Sequence, residues 1–446
     1  APLEVGKYIS KQKNINIRVI EKSDPGTPVA LMLKKGNVKL KEILNDKLKE
    51  LRNIISKNFK KCNVLSNEFD NCEPDDLIIK LLSGELELVQ LPGRQLIIIS
   101  QKLKSTISKN DKELEVLETE RDKKLYSLGN LLHDNAPIYQ NEKDNPVVEV
   151  VDNGMKVEEQ PSKLLSHIDL MEKLGFVDYE SGIKVAGNRG YFLKGLGVKL
   201  NMALLNYALD FLLAENYQLV ETPHMMNAEL IGKIAQLSEY DETLYKLENY
   251  DKYLIATSEQ PITGSFLDTH LNKNDLPIKI GGISSCYREE VGAHGKNTRG
   301  IYRVHQFTKV EQFIVCDSTT SHDMFLNMIG LSKKFYDSLG LSYRVINIVS
   351  GALNNAAAIK YDLEGLFMGS NEYGELVSCT NCLDYFSRRI NTKYGNNEYV
   401  HMLNCTLCAN TRVLCCLIET YQTKDGIKIP DVLIPYMNGI GGIRYV

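Results

Sequence analysis

The stretch Tyr287-Arg-Glu-Glu-Val-Gly-Ala-His-Gly-Lys-Asn-Thr-Arg-Gly-Ile-Tyr-Arg-Val-His-Gln-Phe-Thr-Lys-Val-Glu311 reads as two β-strands joined by a polar, glycine-containing loop. Side chains alternate faces along a strand. The return strand therefore sets Arg303, His305, Phe307, Lys309 and Glu311 on one side, and Val304, Gln306, Thr308, Val310 and Gln312 on the other. Arg288 and Glu290 share a face of the outgoing strand in the same way. Mixed charges on one face usually mark a solvated surface. A row of cations, an aromatic ring and carboxylates this dense instead suits an anionic, planar, amine-bearing ligand, a description that ATP beside an amino acid meets.

The chain around that segment is of ordinary composition. Its 446 residues make two to three domains, and 43% hydrophobic with 25% charged residues is the usual balance of a globular protein. No apolar run reaches the length of about eighteen residues that a membrane span needs. Ala1 to Ile20 holds neither a signal-peptide apolar core nor an Arg/Ser-rich transit character. A cytoplasmic protein with no membrane partner is the expectation. The net charge is −4, so a nucleic-acid contact would have to rest on local charge.

Local charge is present. Between Lys34 and Lys61 ten Lys/Arg stand against three acids, a balance of +7 that includes Lys47, Lys49, Arg52 and Lys57. Leu44, Leu48, Leu51, Ile55, Phe59 and Cys62 step by three or four, the spacing of a helical stripe. Leu103, Ile107, Leu114, Leu117, Leu125, Leu128 and Leu132 repeat the pattern. Two such segments predict an antiparallel helical hairpin within a first domain, 1–132, with Ser66 to Gln95 as its tip. A basic arm of this shape suits the backbone of an RNA.

His133 to Gln160, with seven acids, two lysines, Pro137 and Pro146, reads as a linker, taken as 133–165. From about Ser166 to the end, 166–446, predicted helices (Val198 to Asn216, Ser321 to Leu339) mix with strands (Tyr217 to Thr222, Ile278 to Tyr287, Gly300 to Cys316, Tyr343 to Val349, Glu375 to Cys379). Short turns between strands favour an α+β domain on an antiparallel sheet. No Gly-x-x-x-x-Gly-Lys-Ser/Thr loop occurs, which argues against a P-loop site. The terminal Gly439-Ile-Gly-Gly442 reads as a flexible end.

Cys379-x-x-Cys382 and Cys405-x-x-Cys408 are spaced like a zinc ribbon. Cys379 closes an apolar strand, however, and no glycine knuckle accompanies either pair. Reduced, buried thiols are the expectation, with no zinc, and the compartment disfavours disulfides.

The residues then carry a resemblance. Gly187-Asn-Arg-Gly-Tyr-Phe-Leu-Lys-Gly195, Tyr253-Leu-Ile-Ala-Thr-Ser-Glu-Gln-Pro261, the segment 287–311, Asn347-Ile-Val-Ser-Gly-Ala-Leu-Asn354, Glu375-Leu-Val-Ser-Cys-Thr-Asn381 and Met402-Leu-Asn-Cys-Thr-Leu-Cys-Ala-Asn-Thr-Arg412 make nearly the whole chain resemble the seryl-tRNA synthetases of the eukaryotic cytosolic type, class II aminoacyl-tRNA synthetases. The resemblance implies a class II antiparallel sheet flanked by helices and a coiled-coil arm that binds tRNA(Ser). It also implies a homodimer whose first class II motif includes Pro223, with ATP and serine as substrates and Mg2+ as cofactor.

It further implies roles. Arg288 would bridge the α-phosphate and the serine carboxylate, a task for a bidentate fork. Glu290 would accept from the adenine amine, Phe307 would stack under adenine, and Arg412 would cover its other face. Arg412 and Arg303 would hold the outer phosphates. Glu375 and Ser378 would ligate Mg2+ with hard oxygens; they lie three apart, so a bulge or strand end must stand between them for both to share a face. Thr257, Glu259 and Glu311 would hold the ammonium, and Asn404 and Thr406 would complete a pocket for the hydroxyl. Two rival activities remain at this point. A ligase serving a carrier protein would lack the basic arm, and an inactive RNA-binding relative would have lost the ATP-holding arginines and acids.

Overall fold

The computed structural model describes residues 74–83, 86, 91, 93–126, 128–154, 163–235, 244–290 and 300–446, and the chain divides into two units, Ala1–Leu125 and Tyr126–Val446. In the first unit, helix α1 (Pro74–Ser83) precedes the 34-residue helix α2 (Gly93–Tyr126). The second expected helix is thus present. It begins ten residues before Leu103 and ends before Leu128 and Leu132. The expected basic first helix, with Lys47, Lys49, Arg52 and Lys57, falls outside the described residues. The expected tip is not plain loop: Leu77, Leu86, Leu91, Leu96, Ile99 and Leu103 bury one another in a small core. Farther along α2 the stripe opens to solvent at Val116 and Leu117.

The second unit is built on eight strands: β1 (Val147–Val151), β2 (Gln218–Glu221), β3 (Ile278–Tyr287), β4 (Gln306–Cys316), β5 (Tyr343–Asn347), β6 (Ile359–Phe367), β7 (Glu372–Asn381) and β8 (His401–Ala409). Their order is β1-β5-β6-β7-β8-β4-β3-β2. Every neighbour pair is antiparallel except β2 with β3. Helices α3 (Gly195–Ala214), α4 (Ser321–Ser338) and α5 (Asn410–Thr420) cover one face. There Leu204, Phe325, Tyr336, Leu414 and Leu417 close over Val310, Ile314, Leu363, Val377 and Leu403. Phe313, Val315 and Met402 look the other way, into a smaller core with Ile231, Ile262 and Phe386. The α+β class holds, and the ungated middle of that second face is left for chemistry. Helix α3 is long and apolar enough to cross a membrane, yet Leu200, Leu204, Ala208 and Leu212 pack it on the sheet core.

Three expectations change. The return strand begins at Gln306 rather than Gly300, with Gln306 opposite Tyr287 as the last rung; Ile301 and Val304 are instead sunk in the helix-side core, which pulls the chain out of ladder geometry. The segment 133–165 is not merely a linker. Asn153 donates its side-chain amide to the Leu341 carbonyl at 2.8 Å, and β1 pairs with β5, Val151 opposite Tyr343. An edge strand with Val147, Val148 and Val150 exposed carries no burial pattern to betray it. The C-terminal glycines are also ordered: β9 (Gly426–Lys428) pairs with β10 (Gly442–Arg444). A Cβ at Gly426 would meet the Ile443 carbonyl oxygen at 1.9 Å, so the glycine permits the close approach.

Candidate active site

Two bulges aim the site. Across β6 and β7, Leu363 faces Val377 and Glu364 faces Glu375, so Leu376 is the extra residue. Leu376 and Val377 both turn to the helix-side core, and Glu375 and Ser378 are thereby set on the opposite face, as their spacing requires. Across β4 and β8, Val310 faces Cys408 and Glu311 faces Thr406, leaving Leu407 extra. One face then gathers Phe307, Lys309 and Glu311 from β4, Asn404 and Thr406 from β8, Glu375 and Ser378 from β7, and Lys360 and Asp362 from β6.

Glu311 lies at the floor of a buried pocket. It accepts a short hydrogen bond from the Thr257 hydroxyl, one from Thr406 at 3.3 Å and one from Ser258 at 3.4 Å. The Lys309 ammonium stands 2.5 Å away, with the two side chains 9% and 3% exposed. Burial would push the Glu311 carboxyl up. Lys309, its hydrogen bond, Thr257 and the Arg288 charge outweigh that and hold it below the usual range, so it is an anion. Thr257 to Glu259 reach it because Gly282, opposite Glu311 on β3, has no side chain: a Cβ there would meet Ile262 at 2.6 Å and Ser258 at 2.8 Å. Asn404 closes the pocket, donating to Glu259 at 2.7 Å. Three hydroxyls, an amide and two carboxylates around one small volume suit a cation that also carries a hydroxyl.

Beside this pocket Arg288 follows the end of β3, its guanidinium 5.2 Å from the centre of the Phe307 ring. Among the described residues it forms no ion pair. Glu290 turns the chain with φ 52° and pairs with Arg303 at 3.1 Å, and Arg189 donates to the Arg303 carbonyl at 3.3 Å. Arg412, in the first turn of α5, donates to the Glu375 carbonyl at 3.2 Å and pairs with its carboxylate at 3.3 Å. Its guanidinium lies 4.9 Å over the Tyr302 ring, and Tyr302 donates to the same carbonyl at 3.0 Å. Partial burial opposes ionisation of Glu375, but Arg412, Lys360 and Arg288 hold it below the usual carboxylate range. Asp362, directly opposite Ser378, pairs with Lys360 at 3.1 Å. Burial raises its pKa, and its Oδ1 is buried without a hydrogen-bond partner.

Every catalytic-domain residue expected in the site is on this face or at its rim. The loop 291–299 lies outside the described residues. The sequence places Lys309 on the site face between Phe307 and Glu311 but assigns it no role, and the structure makes it the ion-pair partner of Glu311. Residue-by-residue reading passed over Tyr302 and Asp362, whose roles depend on partners far away in sequence. Cys379 faces Cys405 across β7 and β8 and shares the helix-side core with it and Cys408, but Cys382 lies in the opposite core, so the four thiols do not gather at one point.

A seven-stranded antiparallel platform with a parallel edge strand, with Arg288 and Arg412 set beside its acids and an acid-floored pocket next to them, defines a class II aminoacyl-tRNA synthetase core. Residues 244–421 match the tRNA synthetase class II core domain (G, H, P, S and T). Serine–tRNA ligase of Helianthus annuus is 46% identical over 351 residues, 76% of this chain and 79% of that one. Among solved structures, cytoplasmic serine–tRNA ligase of Naegleria fowleri in complex with AMP is similar at a TM-score of 0.72 and 44% identity, over 90% of this chain and 92% of the other. Seryl-tRNA synthetase of Pyrococcus horikoshii complexed with ATP gives 0.74 and 30%, over 92% and 93%. The chain belongs to the serine–tRNA ligase family.

Proposed function

We propose that the Glu311 pocket holds serine and that the cleft between Arg288 and Arg412 holds ATP, for the reaction of the family: serine and ATP form seryl-adenylate and pyrophosphate, and the seryl group passes to the 3′-terminal adenosine of tRNA(Ser). The observation that carries this reading is the buried, ionised Glu311, ringed by hydroxyls and paired with Lys309. It binds an ammonium and leaves partners for a hydroxyl. A pocket that hydrogen-bonds a hydroxyl rejects an analogue lacking it by roughly 10⁴–10⁵, because buried polar groups then go unpaired.

In this reading Thr257, Glu259 and Glu311 orient the amine, and Asn404 and Thr406 take the hydroxyl. The carboxylate is delivered to the α-phosphate beside Arg288, whose fork spans both anions. Attack displaces pyrophosphate in line, so the protein's work is positioning and charge neutralisation rather than nucleophilic catalysis. Phe307 stacks under adenine and Glu290 accepts from its amine. Arg412 lies across the other face and, with Arg303, holds the outer phosphates.

Glu375 and Ser378 would hold Mg2+. The donor set fits: hard oxygens share one face, and the buried Asp362 Oδ1 beside them has no partner. Two carboxylates and a hydroxyl fall short of a closed cage, which suits an ion that takes its remaining ligands from phosphates and water and supplies charge neutralisation there.

The same reading extends outward. The arm of domain 1–132, through Lys47, Lys49, Arg52 and Lys57, grips tRNA, supported by its +7 balance. A homodimer forms along α3 and Pro223, supported by the exposed apolar Val198, Met202, Leu213 and Met225 there. The cytoplasm is its compartment, in keeping with relatives named cytoplasmic. ATP–pyrophosphate exchange across the twenty amino acids tests the core claim. Serine alone should support exchange; equal activation of alanine would remove the hydroxyl pocket, and charging of a carrier protein in place of tRNA would reassign the acceptor.

A further inference from the structure

One polar constellation at the site is not used by that reaction: His305, Tyr245 and the backbone of Arg288. His305 stands just ahead of β4. Its carbonyl accepts from the Arg288 N–H at 2.9 Å, and its Nδ1 lies 3.0 Å from the Arg288 carbonyl oxygen. The same Nδ1 lies 3.0 Å from the Tyr245 hydroxyl, whose ring meets the imidazole edge-on with centroids 6.2 Å apart. One residue thus grips both backbone groups of Arg288, while Phe307 lies under its guanidinium. The grip falls where the ladder stops: Gln306 with Tyr287 is the last rung, and Glu290 turns through a left-handed φ of 52° two residues on. The Arg288 N–H bond to the His305 carbonyl extends the register by one residue, and what the His305 side chain adds is the hold on the Arg288 carbonyl.

A carbonyl oxygen only accepts, so in this arrangement Nδ1 must carry the proton, and the Tyr245 oxygen can accept from the same N–H. In the other neutral tautomer Tyr245 would donate to Nδ1, and the Arg288 carbonyl would lose its partner. We propose that His305, in its Nδ1–H form and braced by Tyr245, is a positioning residue that holds Arg288 in place for adenylation. The inference rests on the reading that Arg288 bridges the two reactants. Phe307 binds the guanidinium face and leaves its direction open; the backbone clamp sets the direction.

Side-chain mimics test it. An asparagine puts its amide N–H where Nδ1 stood, whereas a glutamine puts its amide where Nε2 stood. His305→Ala and His305→Gln should lower kcat of serine-dependent pyrophosphate exchange on the order of 10²-fold, the penalty of misplacing a reacting group by about 1 Å. KM for serine should change by less than about threefold, since the Glu311 pocket is untouched. His305→Asn should stay within about tenfold of the parent, and all three variants should melt close to it. A merely structural histidine would instead make the Asn and Gln variants equally impaired, or leave every variant with the parent kcat, and either result overturns the proposal. If the Ala variant fails to fold, the Asn–Gln comparison decides alone. Arg288→Ala is the control. Parent-like exchange there removes the bridging reading itself; collapse there beside parent-like His305→Gln removes only the clamp.

Discussion

Lys309 and Glu311 form a pair whose disruption can be worked through. At 2.5 Å and an effective dielectric of about 20, the attraction is about 7 kcal/mol. Taking each ion out of water costs several kcal/mol. The two terms nearly cancel, so the intact pair contributes little net stability. Removing one partner is different, because a buried charge is then left uncompensated at a cost of about 3–5 kcal/mol. Lys309→Met keeps the aliphatic stem and deletes the ammonium. Glu311 must then carry that penalty or take up a proton.

The pH dependence follows in sign. In the parent the folded carboxyl lies below its unfolded value. Its contribution is therefore present above the unfolded pKa of about 4.3 and lost as pH falls through the folded value. In the variant, burial without Lys309 raises the folded value above the unfolded one, so destabilisation grows as pH rises through it. The gap between parent and variant should be widest at neutral pH and close on acidification, read by thermal melts at about pH 5 and about pH 8. Serine kcat/KM in the exchange assay should fall more than about tenfold at neutral pH, since a protonated acid cannot hold the ammonium. Lys309→Met with Glu311→Gln should recover most of the melting temperature and none of the activity. A single variant as stable as the parent at neutral pH, or a double variant as unstable as the single, would refute the reasoning.

Thr406→Val removes one hydroxyl at constant shape and should cut the serine-over-alanine exchange ratio by about tenfold, with Asn404→Ala eroding it further; an unchanged ratio would move the hydroxyl contact elsewhere. Dialysis against a chelator should leave activity that Mg2+ alone restores, and metal analysis should find no stoichiometric zinc; one tightly held zinc per chain would revive a site at Cys379, Cys382, Cys405 and Cys408. Neutralising Lys47, Lys49, Arg52 and Lys57 together should weaken tRNA binding and reduce the slope of log affinity against log salt by up to about 3–4, while pyrophosphate exchange stays at the parent rate. The parent slope in that variant would make the stretch a solvated helix face.

How much of this could be read beforehand depended on the interaction at stake. The face of β4 was legible because period-two alternation is local, and Phe307, Lys309 and Glu311 fell where it put them. Glu375 and Ser378 even announced their bulge, since two ligands three apart cannot otherwise share a face. That Leu376 is the extra residue, however, is settled by its packing in the core. No such signal marked the bulge at Leu407, because Asn404 and Thr406 are spaced for a regular strand. β1 was hidden for a related reason: an edge strand with an exposed face obeys no burial pattern, and its neighbours are acids and prolines. The meeting of Thr257 with Glu311, 54 residues apart, rests on the bare backbone of Gly282. No periodicity encodes that, and only the family resemblance pointed to it.

The two bulges serve a purpose beyond aim. On β7 and β8 the helix side must stay apolar and continuous, and it does so through Leu376 with Val377 and through Leu407 with Cys408. A regular strand would expose every second residue of those runs to the polar face. An extra residue on each strand lets two consecutive apolar side chains turn to the helices while Glu375 and Ser378 on β7, and Thr406 on β8, remain on the active face. Core and site are therefore coupled in register. Loss of one residue at either bulge would send every side chain beyond it to the opposite face, so that the acids and hydroxyls of the site would enter the helix-side core. Packing of that core thus holds the polar constellation in place, and so the arrangement can tolerate a buried lysine, a buried glutamate and an unpartnered aspartate oxygen on its other side.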